Sequence, residues 1–264
     1  MNAPNQTVLH DHASLRDDRQ IPLRRVGIRN LRYPITVLDP HRGRQSTVAD
    51  VLAAADLPPD TKGTHMSRFV EVLNEHRAEI TIETIPAILR RLQERLEAHA
   101  AFLELVFPYF ITKAAPVSGL ESLMDYQCRF EASLRGDDFD FVLGVQVPVK
   151  SLCPCSKAIS DRGAHNQRSY LDVRVRSSGL LWIEDLIACV ETCGSSPLYA
   201  LLKREDEKHV TELAYDNPRF VEDLVREVIL AVRKIDTVRT IDVSVDNQES
   251  IHNHSAFAEA SWSR

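Results

Sequence analysis

The sequence predicts an α+β fold: antiparallel sheet backed by helix pairs, arranged as two tandem units. Two observations predict it. Extended stretches with one apolar face suit antiparallel sheet covered on one side rather than a doubly wound parallel sheet. The order of strands, two helices and strands then recurs in the second half, with no letter-by-letter repeat.

Residues 1–20 have no periodic apolar pattern and read as a mobile lead-in. Val26 to Leu38 reads as a strand, rich in β-branched and aromatic residues and stopped by Asp39-Pro40. A second extended stretch spans Ser46 to Leu52. Met66, Phe69, Val70 and Leu73 fall at helical spacing, as do Ile85, Ile88, Leu89, Leu92 and Leu96. Three strands follow, over Phe102–Thr112, Ser122–Leu134 and Phe139–Val149. In the last, Phe139, Phe141, Leu143, Val145 and Val147 share one face, and Gly136-Asp137-Asp138 supplies a hairpin turn before it.

In the second half, Val173 and Val175 alternate with charged residues in a strand near 168–178. A helix stripe follows at Ile183, Leu186, Ile187 and Val190. Another helix is expected to open at Asn217-Pro218, with Val221, Leu224, Val225, Val228 and Val232 on its stripe. A strand near 239–247 carries Ile241, Val243 and Val245 on one face. The expected division is residues 21–150 and 151–264, within one integrated domain.

The chain of 264 residues is long enough to bury a core without staples. Its 44% hydrophobic and 27% charged residues exclude a disordered chain. With 32 Lys and Arg against 38 Asp and Glu, the net charge of −6 gives no footprint for nucleic acid. The first twenty residues are too polar for a secretory signal, and no apolar run approaches the roughly 20 residues that span a bilayer. Five Cys in a chain that needs no disulfides point to a reducing compartment, and a cytoplasmic protein is expected.

The chemistry-bearing residues concentrate in three places. Cys153 and Cys155 lie one residue apart at a strand end, with His165 ten positions past Cys155. Such a group can grip zinc, iron or manganese, with thiolate favouring zinc or iron, but spacing alone leaves unengaged thiols equally open. Lys157 and Arg168 flank the thiols, where cations attract anions or simply meet solvent. The second place is Asp246 to His254, directly after a strand, where His252 and His254 share a side if the chain is extended. The third is the mixed charge run Lys203 to His209, which alone reads as a solvated helix end. Glu222 in the first turn of its helix is accounted for by the helix dipole, and Arg68 stands at a helix start. Cys128, Cys189 and Cys193 read as small core fillers.

Taken together, these segments resemble GTP cyclohydrolase type IB. The resemblance rests on Leu152 to Lys157 with Gly163 to Arg168, on Lys62 to Phe69, and on Leu202 to Lys208. It rests also on Asn217-Pro218 with Phe220 to Asp223 and on Glu249 to His254, so it runs from about residue 25 to the C-terminus. It implies the tunnelling fold and a homotetramer with active sites between subunits. It further implies one divalent metal per site, zinc, manganese or iron, held by Cys153, His165 and Glu207. Cys155 would stand beside the metal or serve as an alternative ligand.

The implied reaction takes GTP and water to 7,8-dihydroneopterin 3'-triphosphate and formate. In it Cys153, His252 and His254 would be catalytic, the two imidazoles as proton shuttles. Glu222 would accept the adjacent N–H donors of guanine in a bidentate manner. Lys157, Arg168, Arg68 and Lys150 would face the triphosphate. Related readings are an archaeal-type cyclohydrolase with a cyclic phosphate product, a nitrile reductase of the same fold, and a binding module in which Cys153, Cys155 and His165 hold a structural zinc.

Overall fold

In the computed structural model, residues 11–13, 15–76 and 80–264 are described, and the first half of the expected lead-in lies outside them. Fifteen elements follow in order: β1 (Leu23–Asp39), β2 (Gly43–Leu57), α1 (Met66–Glu75), α2 (Ile85–Leu96), β3 (Ala100–Ala114), β4 (Glu121–Arg135), β5 (Asp138–Leu152), α3 (Pro154–Ile159), β6 (Asn166–Ser177), α4 (Ile183–Glu191), β7 (Ser196–Pro197), α5 (Arg204–Asp216), α6 (Val221–Val232), β8 (Val238–Gln248) and β9 (Ala256–Ser263).

All strands belong to one antiparallel sheet in the order β1-β2-β3-β4-β5-β6-β8-β9, with short β7 paired to β5. A ββααββ pattern therefore repeats, β1 to β4 and then β5 to β9 with additions. Its seam is the turn between β4 and β5, where Arg135 pairs with Asp138 and Gly136 takes φ 57, a left-handed conformation glycine adopts without a Cβ penalty. Residue 150, the expected boundary, lies inside β5, and one core cluster spans both repeats.

One sheet face is buried beneath the helices. In β5, Leu143, Val145, Val147 and Val149 face the core, while Phe139 at the strand start is 38% exposed and leaves it. α2 begins with proline in its first turn, where the missing N–H costs nothing, and buries Ile85, Ile88, Leu89 and Leu92 completely. α1 buries Phe69, Val72 and Leu73; Met66 is exposed and Val72 takes the place the spacing had given Val70. α6 buries the expected stripe but opens at Val221. Asn217 instead ends α5, and its side-chain amide donates to the Gly194 and Ser195 carbonyls.

The sequence reading missed α3, β7 and β9, and the charge run from Lys203 proved to begin a full helix, α5. Part of the lead-in is also paired: Arg16 bridges Thr61, and Lys62 and Gly63 donate to the Leu15 and Ala13 carbonyls. Among the described residues no helix is long and apolar enough to cross a membrane.

Candidate active site

The strand directions bring four hairpin connections to one end of the sheet: residues 40–42, 115–120, 153–165 and 249–255. At this end the apolar stripe of the core turns polar. Val149 gives way to Ser151 on β5, Leu171 to Ser169 and Gln167 on β6, and Val245 to Asn247 on β8, all buried.

Cys153 and His165 close the β5–β6 ladder. The last paired residues are Leu152 and Asn166, and beyond them the Cys153 N–H donates to the His165 carbonyl at 3.1 Å. Cys153 also caps α3, its Sγ accepting from the Ser156 N–H at 3.4 Å. The Ser156 hydroxyl in turn accepts from the His165 N–H at 3.2 Å, so α3 knits thiol and imidazole together. His165 Nδ1 stands 3.0 Å from Gln167 Oε1.

The strand end is held from the other side too. The Ser195 N–H donates to the Lys150 carbonyl, the Ser195 hydroxyl accepts from the Leu152 N–H, and the Arg219 N–H donates to the Leu152 carbonyl. Gly194 is required for this approach, since a Cβ there would lie 2.7 Å from the Val149 Cβ. The contact through Arg219 sets the start of α6, and with it exposed Glu222, beside the Cys153 strand end. No hydrogen bond or ion pair occupies the Glu222 carboxylate among the described residues.

Glu207 is exposed in the first turn of α5. The helix start is fixed by its neighbour Asp206, which is completely buried and accepts from the Val117 and Ser118 N–H groups, the Ser118 hydroxyl and the Lys203 N–H. Burial alone would raise the Asp206 pKa, but these hydrogen bonds outweigh it and hold the carboxyl well below its ordinary range. Asp206 thus places Glu207 at the same end of the sheet as Cys153. Even so, among the described residues no three His, Cys, Asp or Glu side chains come together closely enough to share an ion.

The 249–255 connection carries His252 and His254. The segment turns rather than extends, yet the two rings stack with centroids 5.0 Å apart, and His252 Nε2 lies 3.4 Å from the Glu249 carboxylate.

The four expected phosphate-binding cations are dispersed. Lys150 and Arg168 are cross-strand partners on the sheet face opposite the helices, and burial lowers the Lys150 pKa. Arg168 lines a cleft of about 540 Å³ there with Gln146, Tyr170 and Tyr199. The Lys157 ammonium donates to the Tyr215 carbonyl at the end of α5 and lies 4.2 Å from that ring's centroid. Arg68 donates to the Arg95 carbonyl where α2 leads into β3, at the opposite end of the sheet from Cys153.

The cysteines divide as their environments dictate. Burial pushes the Cys193 thiol up to about 12 and raises those of Cys128 and Cys189 as well, keeping all three protonated and unreactive. Cys153 is half-buried and Cys155 exposed, and all five thiols are free.

Residues 9–258 match the family described as type I GTP cyclohydrolase folE2. The chain belongs to that family. The chain is 55% identical to GTP cyclohydrolase FolE2 of Citrifermentans bemidjiense over 256 residues, 97% of this chain and 96% of the relative. It is 52% identical to GTP cyclohydrolase FolE2 of Nitrosococcus oceani, covering 95% and 94%. Among solved structures, a uricase from Bacillus fastidious superposes with TM-score 0.55 at 8% identity, covering 94% of each chain. Uricase from Arthrobacter globiformis gives 0.52 at 10% identity, covering 92% and 94%. At such low identity the likeness shows the fold alone: this FolE2 family member has the tunnelling fold, with its sheet open in the single chain.

Gln167, Ser151, Ser169 and Asp206 were not singled out from the sequence. For Ser151, Gln167 and Ser169 the signal was present as polar residues falling in phase with an apolar stripe, at the same end of neighbouring strands, whereas Asp206 was one acid among several in the first turn of α5.

Proposed function

We propose that the end of the sheet bearing Cys153 and His165 carries out the GTP cyclohydrolase I reaction, converting GTP and water to 7,8-dihydroneopterin 3'-triphosphate and formate at the entry to folate-type pterins. The family membership supports the reaction. The observation that carries the site is the Cys153–His165 pair closing the β5–β6 ladder, with His165 Nδ1 engaged by Gln167.

A soft thiolate and an imidazole on adjoining strand ends suit a divalent ion, zinc, manganese or iron. Cys153 and His165 would hold it, with Glu207 as the third donor; Cys155 is the alternative thiol. When bound, the ion supplies Lewis acidity that brings the pKa of water towards neutrality.

The chain's own residues do the rest. Glu222, at the positive end of α6, accepts the N1–H and 2-amino hydrogens of guanine and fixes which carbon faces the ligand pair. As water adds at C8 and the imidazole ring opens, His252 and His254 deliver and remove protons at the ring nitrogens; an imidazole changes charge near neutral pH. The bare edges of β1 and β9 support a homo-oligomer, which we read as a tetramer with sites between subunits. In that arrangement a second copy would supply Arg68 to a triphosphate also met by Arg168, Lys150 and Lys157. Five free thiols support a cytoplasmic setting.

The test strips the purified protein with chelator, restores Mn²⁺, Fe²⁺ or Zn²⁺, and supplies GTP. Formate release together with an oxidisable fluorescent pterin is expected with at least one ion; no turnover with any of them overturns the reading. A chelated protein that unfolds would instead favour a structural metal. Glu222→Ala should lose ~10²–10³-fold in kcat/KM while keeping its metal content, and metal lost in parallel would refute the division of roles.

A further inference from the structure

Behind His165 lie three polar side chains where the strand pattern calls for apolar ones. Ser151 and Ser169 are completely buried and Gln167 is 7% exposed. Burying an amide and two hydroxyls is costly unless each finds partners, and these find one another. Gln167 Nε2 donates to Ser151 Oγ at 2.9 Å, and the Ser169 hydroxyl donates to the same oxygen at 2.8 Å. The amide nitrogen is thereby turned into the core, and the amide oxygen is turned outward to His165 Nδ1 at 3.0 Å. A carbonyl oxygen only accepts, so the hydrogen sits on Nδ1 and the lone pair on Nε2.

We propose that Gln167, braced by Ser151 and Ser169, is a positioning residue that fixes His165 in its Nδ1–H tautomer and aims Nε2 at the divalent ion. The inference rests on the reading of His165 as a metal ligand. Partners of this kind fix ring orientation and raise ligand basicity, and their loss weakens metal binding by about 10–100-fold. Ordinary strand packing needs neither an amide nor a defined tautomer here; a leucine would fill the same space and leave the ring free to turn.

The test uses the full chain in two states. In metal-free protein labelled with ¹⁵N-histidine at about pH 8.5, where an ordinary imidazole is neutral, the His165 signal is identified by its loss in His165→Ala. It should show hydrogen on Nδ1 in the wild type and on Nε2 in Gln167→Leu. A wild-type ring with hydrogen on Nε2 overturns the proposal without recourse to any variant. Zn²⁺ affinity is then measured by competition with a chromophoric chelator. Gln167→Leu should bind about 10–100-fold more weakly, and Gln167→Glu, which keeps the acceptor, should restore most of the affinity. Ser151→Ala, which leaves Gln167 in place without its brace, should fall between them and serves if the leucine variant does not fold. If His165→Ala binds Zn²⁺ as the wild type does, the ligand reading itself fails. If His165→Ala loses Zn²⁺ while Gln167→Leu binds normally, the ligand reading stands and the positioning role is refuted.

Discussion

The β1–β2 connection and the β5–β6 connection occupy the same place in the two repeats and differ in almost everything else. The first is the three residues 40–42, a turn tightened by the Asp39 carboxylate, which accepts from the His41 and Arg42 N–H groups at 2.8 Å. The second is the thirteen residues 153–165, with a helix, two thiols and an imidazole. The other pair of connections differs in the same way. Residues 115–120 are fastened to Asp206, whereas 249–255 carry the stacked imidazoles. One scaffold, built twice, carries short structural turns at this end of the first repeat, and in the second repeat it carries the residues to which we assign most of the chemistry. Its rigid strands give the loaded connections fixed anchor points.

The sharpest way to break this comparison is Cys153→Ala. We expect turnover to fall by at least ~10³-fold and bound metal to be lost, while the chelated protein loses only the α3 cap, about 1 kcal/mol of stability. Formate release, metal analysis and thermal melts measure the three together, and wild-type turnover would remove the chemistry from this connection. The converse variant lies in the first repeat. Leu89→Ala, at a completely buried position of α2, should cost about 2–5 kcal/mol in denaturant titrations and leave kcat of the folded fraction intact.

Asp206→Asn probes the tie between the repeats. Its folded pKa lies below the unfolded value of about 4, so the stabilisation is present above that pH and is lost as pH falls through the folded value. The variant should therefore melt below the wild type at pH 7, and the gap should close on acidification below about pH 4. A gap independent of pH would rule out the carboxylate as its source. The smallest effect is expected at the exposed Lys208–Glu212 pair, 2.9 Å apart one turn along α5. Lys208→Ala should change stability by no more than about 0.5 kcal/mol.

Most of the fold was legible because strands such as β5 alternate cleanly and helices such as α2 keep a strict stripe. Where periodicity was short or absent, reading stopped. α3 has six residues and no buried face, and β9 is an edge strand alternating only between exposed and half-buried. Proline misled at α6: Asn217-Pro218 has the composition of a helix start, but Asn217 is spent on the Gly194 and Ser195 carbonyls and the helix waits until Val221. At the site, Cys153 and His165 were legible as a pair because both flank the same hairpin. The distance of Arg68 from them was not, since that depends on which end of a strand each helix returns to. Gln167 was hidden by being ordinary in type and unusual only in where it is buried.

The clasp between Asp206 and residues 117–118 bears on how the molecule comes apart. It joins a turn of the first repeat to a helix of the second, and the β4–β5 ladder joins them again along the seam. Two repeats stitched at both ends of the sheet have no low-energy route to opening one at a time, so heat should release them in a single step, with calorimetric and van't Hoff enthalpies in agreement. Halves of the chain made separately on either side of the 136–137 turn would each present a long unpaired edge, β4 in one and β5 in the other. The fragments would then pair promiscuously rather than persist as half-proteins.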